Sequence, residues 1–338
     1  MNDLTSLTSC LRRGFLKGTL GCGAYLSLVL AGCPLNGRRA FAAETNDTVV
    51  LDAGFARIEK LAEQVWAVIS TPSGGSETIS NGGIIAGKDK VLAIEGFMTP
   101  AGGAWLKKTC KQLTGRHPTH VALTHFHGDH SYGLAGYLDG GQGPEIVATA
   151  QTRRNLLQNQ TESQPRKKAN ATFAEVQSIL LPTRLIVDEI KETTLDLGGI
   201  SVRLVSRQGH TSSDLTIELD QPQIRWCGDL FFNRVFPYYG DAIPSQLSQS
   251  CQELFKEEKA IYVPGHGSVA SRQDICNYLT MIEHLGAAAQ KAFREGTPAD
   301  EAWKEYQLPK SLSPWNPSGH EAFRVAFKAW ERELKNHQ

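Results

Sequence analysis

No two cysteines of this chain stand in a C-x-x-C arrangement. The seven, Cys10, Cys22, Cys33, Cys110, Cys227, Cys251 and Cys276, lie apart from one another, so a zinc ribbon is not expected. An excess of either charge is also missing, since 35 Lys and Arg balance 35 Asp and Glu. Without a basic excess there is no broad field to draw in a polyanion, and nucleic acid is not an expected partner. The moderately apolar stretch from Gly18 to Cys33 falls short of the roughly 20 residues that a spanning helix needs. Low-complexity segments and short-period repeats are absent too. What remains is an ordinary globular composition over 338 residues, enough for a sizeable core in one large domain or two medium ones.

The N-terminus is the first positive signal. Leu11 to Lys17 reads L-R-R-G-F-L-K ahead of the Gly-, Ala- and Leu-rich stretch, and it resembles a twin-arginine export signal, with Leu11 where Ser or Thr is usual. Two processing sites compete. Leu30-Ala31-Gly32-Cys33 looks like a lipobox that would leave a lipid anchor on Cys33, whereas Ala40-Phe41-Ala42 fits an ordinary signal peptidase. The lipobox follows the apolar core directly and is preferred, because Arg38 and Arg39 precede the other site. Residues 1–43 are therefore assigned to the signal and 44–338 to the mature domain. The resemblance implies a periplasmic protein, exported already folded, whose later cysteines are permitted to form disulfides. A membrane contact is expected only through that anchor.

Along the mature chain, Thr48–Leu51, Val65–Ile69, Gly83–Ala86 and Val91–Ile94 are β-branched runs separated by turn residues, and they predict a β-meander. Thr99-Pro100 opens a helix to about Leu113. A buried strand over His120 to Thr124, a helix over Ser131 to Leu138 and a strand over Glu145 to Ala148 follow. Gln151 to Leu181 is charged with helical spacing and reads as a solvated excursion. Strands resume at Leu185–Val187, Thr194–Leu197, Ile200–Val205, Leu215–Ile217 and Ile224–Trp226, with further helices from Ser271 and from Ala322.

Four metal-capable side chains crowd V-A-L-T-H-F-H-G-D-H-S-Y, the stretch from Val121 to Tyr132. His125 and His127 are two apart, so in extended backbone both imidazoles leave the same side. Asp129 and His130 follow where the chain must turn. Downstream, His210 in Q-G-H-T-S-S-D, Asp229 in W-C-G-D-L and His266 in Y-V-P-G-H-G each sit beside a glycine, just past a β-rich run. Imidazole and carboxylate donors on strand-end loops are the donor set of zinc, iron or manganese sites. Cys227 is read as a core or disulfide residue, and His117 and His120 as structural.

In this order and these surroundings the motifs resemble the metallo-β-lactamase superfamily, over most of the mature chain from about Asn81 to the helix after His266. Ser80-Asn81-Gly82-Gly83 resembles the family's early glycine turn, and Glu95 stands where an aspartate is common, a departure read as structural. The resemblance implies an α/β fold, an αββα sandwich of two mixed sheets flanked by helices. It also implies two Zn²⁺, with iron or manganese as alternatives: His125, His127 and His210 on the first, Asp129, His130 and His266 on the second, Asp229 bridging both. A hydroxide shared by the metals would be the nucleophile, oriented by Asp129, with Tyr132 close enough to meet substrate.

The retained Asp229 resembles the hydroxyacylglutathione hydrolase and lactonase branches. The expected function is an exported hydrolase of an ester, thioester, lactone or similar bond in a small molecule, with β-lactam hydrolysis as the runner-up. A di-iron redox protein and a non-catalytic metal-binding protein are the alternatives of another class. Phe231, Phe232, Phe236, Tyr238 and Tyr239 follow Asp229 and either line an apolar pocket or pack the core. Substrate identity and oligomeric state stay open.

Overall fold

The computed structural model describes residues 48–162, 180–187 and 190–336. The signal and processing-site assignments lie outside these residues, as does the latter part of the charged excursion. Thirteen strands form two mixed sheets among the described residues. The first holds eight in sequence order: β1 (Val49–Asp52), β2 (Ala56–Ala62), β3 (Val65–Ser70), β4 (Gly82–Ala86), β5 (Val91–Ile94), β6 (His120–Ala122), β7 (Glu145–Thr149) and β8 (Arg184–Ile186). β1 to β5 run antiparallel, and β5 to β8 are parallel. The second sheet runs β13 (Ile261–Val263), β12 (Ile224–Trp226), β11 (Asp214–Leu219), β10 (Ser201–Arg207) and β9 (Glu192–Asp196). The helices are α1 (Pro100–Thr114), α2 (Gly128–Ser131), α3 (Ala150–Glu162), α4 (Pro244–Leu254), α5 (Arg272–Arg294), α6 (Ala299–Ala302) and α7 (Glu321–Asn336).

The period of two along β3 and β5 separates the layers. Val65, Ala67 and Ile69 of β3, with Leu92 and Ile94 of β5, face the core shared with Val202, Leu204, Leu215 and Ile217 of the second sheet. Their neighbours Trp66, Val68, Val91 and Ala93 face Leu106 and Cys110 of α1. The second sheet's outer face carries α4, α5 and α7, through Leu247, Tyr278, Met281 and Phe327. The result is the expected helix–sheet–sheet–helix sandwich. Trp226 ties the sheets together by donating from Nε1 to the Gly82 carbonyl at 2.9 Å. A Cβ on Gly83 would lie 2.4 Å from that nitrogen, so the early glycine turn makes room for the indole.

Two expectations change. Ala56–Ala62, A-R-I-E-K-L-A, is a strand the sequence reading lacks, since its residues are helix formers; pairing to β1 and β3 overrides that propensity. The segment after the histidine cluster is one α-turn followed by a 3-10 helix over Tyr132–Tyr137. A Cβ on Gly133 or Gly136 would lie 2.2 Å or less from carbonyls of residues 96, 99 or 100, so this segment lies backbone against backbone on its neighbours. Cysteine pairing, which the sequence leaves open, is settled for three residues: Cys110, Cys227 and Cys251 are buried free thiols, and burial raises the pKa of each well above the ordinary thiol value.

Candidate metal centre

All seven sequence-predicted ligands lie on segments that follow strand ends, Asp129 and His130 in the short helix α2. His125 to His130 follow β6, His210 joins β10 to β11, Asp229 follows β12 and His266 follows β13. They converge as two groups, His125, His127, His210 and Asp229, then Asp129, His130 and His266, with donor atoms in each group within 4.8 Å of one another. In the first, His127 Nδ1 lies 3.0 Å from His125 Nε2 and 2.9 Å from His210 Nε2. In the second, Asp129 Oδ2 lies 3.2 Å from His266 Nε2 and 3.6 Å from His130 Nε2. Asp229 stands between them: Oδ2 is 3.3 Å from His210 Nε2, while Oδ1 is 3.1 Å from His130 Nε2 and 3.4 Å from His266 Nε2.

These residues fit a metal on chemical grounds. His130 Nε2 and Asp229 Oδ1 are fully buried, and although they lie 3.1 Å apart neither makes a well-aligned hydrogen bond among the described residues. A buried polar atom without a well-aligned hydrogen bond is costly, and two such atoms within a set of five imidazoles and two carboxylates suit divalent cations. Electrostatics separates the groups. Burial holds His125 well below the usual histidine pKa and His210 down at about 3, so both are neutral and ready to donate a lone pair. Burial also opposes the charge of Asp229, yet the imidazoles of His130, His266 and His210 hold its carboxyl well below the usual range. The same contest brings Asp129 to about 2, and in return His266 rises to about 9.

Around the ligands lies a shell that fixes their rings. His125 Nδ1 meets Thr124 Oγ1 at 3.0 Å, and that hydroxyl donates to Glu95 Oε1 at 2.5 Å. His130 Nδ1 faces the same Glu95 oxygen at 3.0 Å. Glu95, expected to be merely structural, thus orients one ligand of each group, from a residue with φ of 79°. His127 Nε2 lies 2.8 Å from Asp241 Oδ2. Sequence reading missed Asp241 because 114 positions separate it from its partner. Asp214, four residues after His210 and not singled out from the sequence, accepts from the backbone N–H groups of His210 and Thr211, at 3.1 Å each through Oδ2. The His266 loop is pinned by Asn81, whose Nδ2 donates to the Pro264 and Gly267 carbonyls. Phe232 stacks on His266 with ring centroids 5.0 Å apart.

Tyr132 packs its ring over Gly128, where a Cβ would fall 2.4 Å from the ring. Tyr238 touches His127 edge to face, centroids 5.7 Å apart, and is the member of the aromatic cluster that is open to solvent at the site. Phe231 and Tyr239 are core. His120 pairs with Thr119 and Glu145, away from the centre.

The sequence model of the metallo-beta-lactamase superfamily matches residues 75–266. Among solved structures, a stereoselective inverting sec-alkylsulfatase from Pseudomonas sp. superposes with a TM-score of 0.67 at 14% identity, over 82% of this chain and 50% of its own. The present chain thus spans about half the length of that enzyme. Metallo-beta-lactamases from Pontibacter korlensis and Hirschia baltica give TM-scores of 0.53 and 0.52 at 19% and 18% identity. They cover 68% and 67% of this chain and 99% and 97% of their own. No curated protein matches. At these identities the structural likeness speaks for the fold.

Proposed function

The chain belongs to the metallo-β-lactamase superfamily, and from that premise we propose that it is an exported, periplasmic hydrolase holding two zinc ions and cleaving an ester, thioester, lactone or similar bond of a small molecule. The observation that carries this reading is the position of Asp229, with one carboxylate oxygen toward each group of ligands. His125, His127 and His210 would hold one ion, Asp129, His130 and His266 the other, and Asp229 both. When bound, such ions supply Lewis acidity at the scissile bond and bring the pKa of water from 15.7 to about 7. The protein's own part is positioning: Glu95, Thr124 and Asp241 orient the imidazoles. Asp129, ionised down to about pH 2, is fit to accept a hydrogen bond from a water at the site and so orient it.

The likeness to a sec-alkylsulfatase favours including sulfate esters in the same substrate class. The test is a screen of the zinc-loaded mature protein against esters, thioesters, lactones, alkyl sulfates and β-lactams, with metal content measured alongside. His127→Ala and Asp229→Ala are expected to lower kcat/KM at least about 10³-fold with the fold retained. Turnover by a protein stripped of metal would end the reading, and β-lactams as the preferred substrate would move it to the runner-up.

A further inference from the structure

Beside the metal centre lies a cavity of about 440 Å³ that the ligand set does not explain. One wall is Val235, Phe236 and Tyr238, from the loop that leaves Asp229; the other is Pro317, Ala322 and Val325, at the start of α7. Its size is in the range of small-molecule pockets, about 300–1,000 Å³. Three of its apolar side chains stay open to solvent, Val235 at 42%, Tyr238 at 55% and Val325 at 36%. Tyr238 belongs to both places, lining the cavity while its ring rests against His127. No ligand residue lines the cavity, so Tyr238 is its link to the centre. Arg234 lies at its edge, but Nε and Nη2 both lie 2.9 Å from Asp274 Oδ1, so that cation is already matched.

Resting on the hydrolase reading above, the geometry points to a subsite for an uncharged, apolar tail of the substrate. The reacting bond sits at the metal centre, and the tail runs past Tyr238 between Val235 and Val325. No carboxylate or phosphate is expected at the far end of the tail, because Arg234 is engaged. Each methylene the cavity covers contributes up to about fourfold in affinity.

Product-like probes test this without turnover. Octanoate and acetate are titrated calorimetrically into the zinc-loaded protein. Octanoate is expected to bind at least about 30-fold more tightly. In Val325→Trp, which fills the cavity, and Val235→Asp, which charges it, the octanoate-to-acetate ratio falls toward one while zinc content and melting temperature stay near wild type. Two partly exposed positions on different walls guard against a folding defect in either. Equal affinity of the two acids for the wild-type protein would overturn the subsite, as would an octanoate advantage that survives both variants. Dimerisation abolished by Val325→Trp, with no octanoate advantage, would assign the face to a second copy of the chain. Failure of every substrate in the screen would sink the hydrolase reading while leaving this binding ratio to be read on its own.

Discussion

His127 is held through both ring nitrogens, Nδ1 toward His125 and His210 and Nε2 toward Asp241. A carboxylate on the far nitrogen fixes the tautomer and raises the basicity of the near one, and losing such a partner costs about 10–100-fold in metal affinity. That hydrogen bond also holds the Asp241 carboxyl below the usual range, against its partial burial. Asp241→Asn is accordingly expected to release zinc about 10–100-fold more readily in competition with a chromogenic chelator. An unchanged affinity would leave Asp241 a surface residue that happens to lie close. The ligands themselves were legible in the sequence because they are dense, as in T-H-F-H-G-D-H, or flanked by glycine, as in G-H-T and P-G-H. Gly265 shows why that glycine matters: a Cβ there would lie 2.0 Å from Asp229 Oδ1. Asp241 and the orienting role of Glu95 were not legible, because both arise from contacts between segments distant in sequence.

At the scale of elements, the helix α5 begins with a capping box. Ser271 accepts from the Asp274 backbone N–H, and Asp274 accepts from the backbone of Ser271. The same carboxylate receives Arg234 from the loop that walls the cavity. Burial would raise the Asp274 carboxyl, but the Ser271 hydrogen bonds and Arg234 outweigh it and hold the group below its ordinary value. A depressed folded-state pKa contributes stability above the unfolded value, about 3.9, and that contribution is lost as pH falls through the folded value. Asp274→Ala should therefore cost about 1 kcal/mol near neutral pH by urea denaturation, and the gap to wild type should narrow progressively as pH falls below about 4. A gap of equal size at pH 3 would place the loss in packing. Sequence periodicity found α1, α5 and α7 because Thr99-Pro100, Ser271 and the spaced apolar residues are local signals. It missed α4, P-S-Q-L-S-Q-S-C-Q-E-L, where Leu247, Cys251 and Leu254 are the apolar side chains that pack inward.

On the scale of the whole molecule, the centre joins two sheets that otherwise meet through an apolar interior. The segment His125–His130 comes from the first sheet, whereas His210, Asp229 and His266 come from the second. That the halves form a sandwich came from the family resemblance, since strand order within sheets is set by long-range pairing that no local pattern encodes. Metal bound here would hold the sheets together across their shared edge, and a ligand that binds only the folded state stabilises it by about 2.7 kcal/mol per site at a hundredfold excess over Kd. Stripping zinc with a chelator should thus lower the melting temperature by at least about 5 °C. The partition of that loss among variants carries more information than its size. His266 serves one group of ligands, so His266→Ala should keep a substantial part of the zinc-dependent gain. Asp229 offers one oxygen to each group, so Asp229→Ala should lose most of it, measured as the difference between zinc-loaded and stripped melting curves for each variant. Equal residual gains in the two variants would mean that Asp229 serves a single ion, and the paired centre would have to be redrawn with the second group of ligands standing alone.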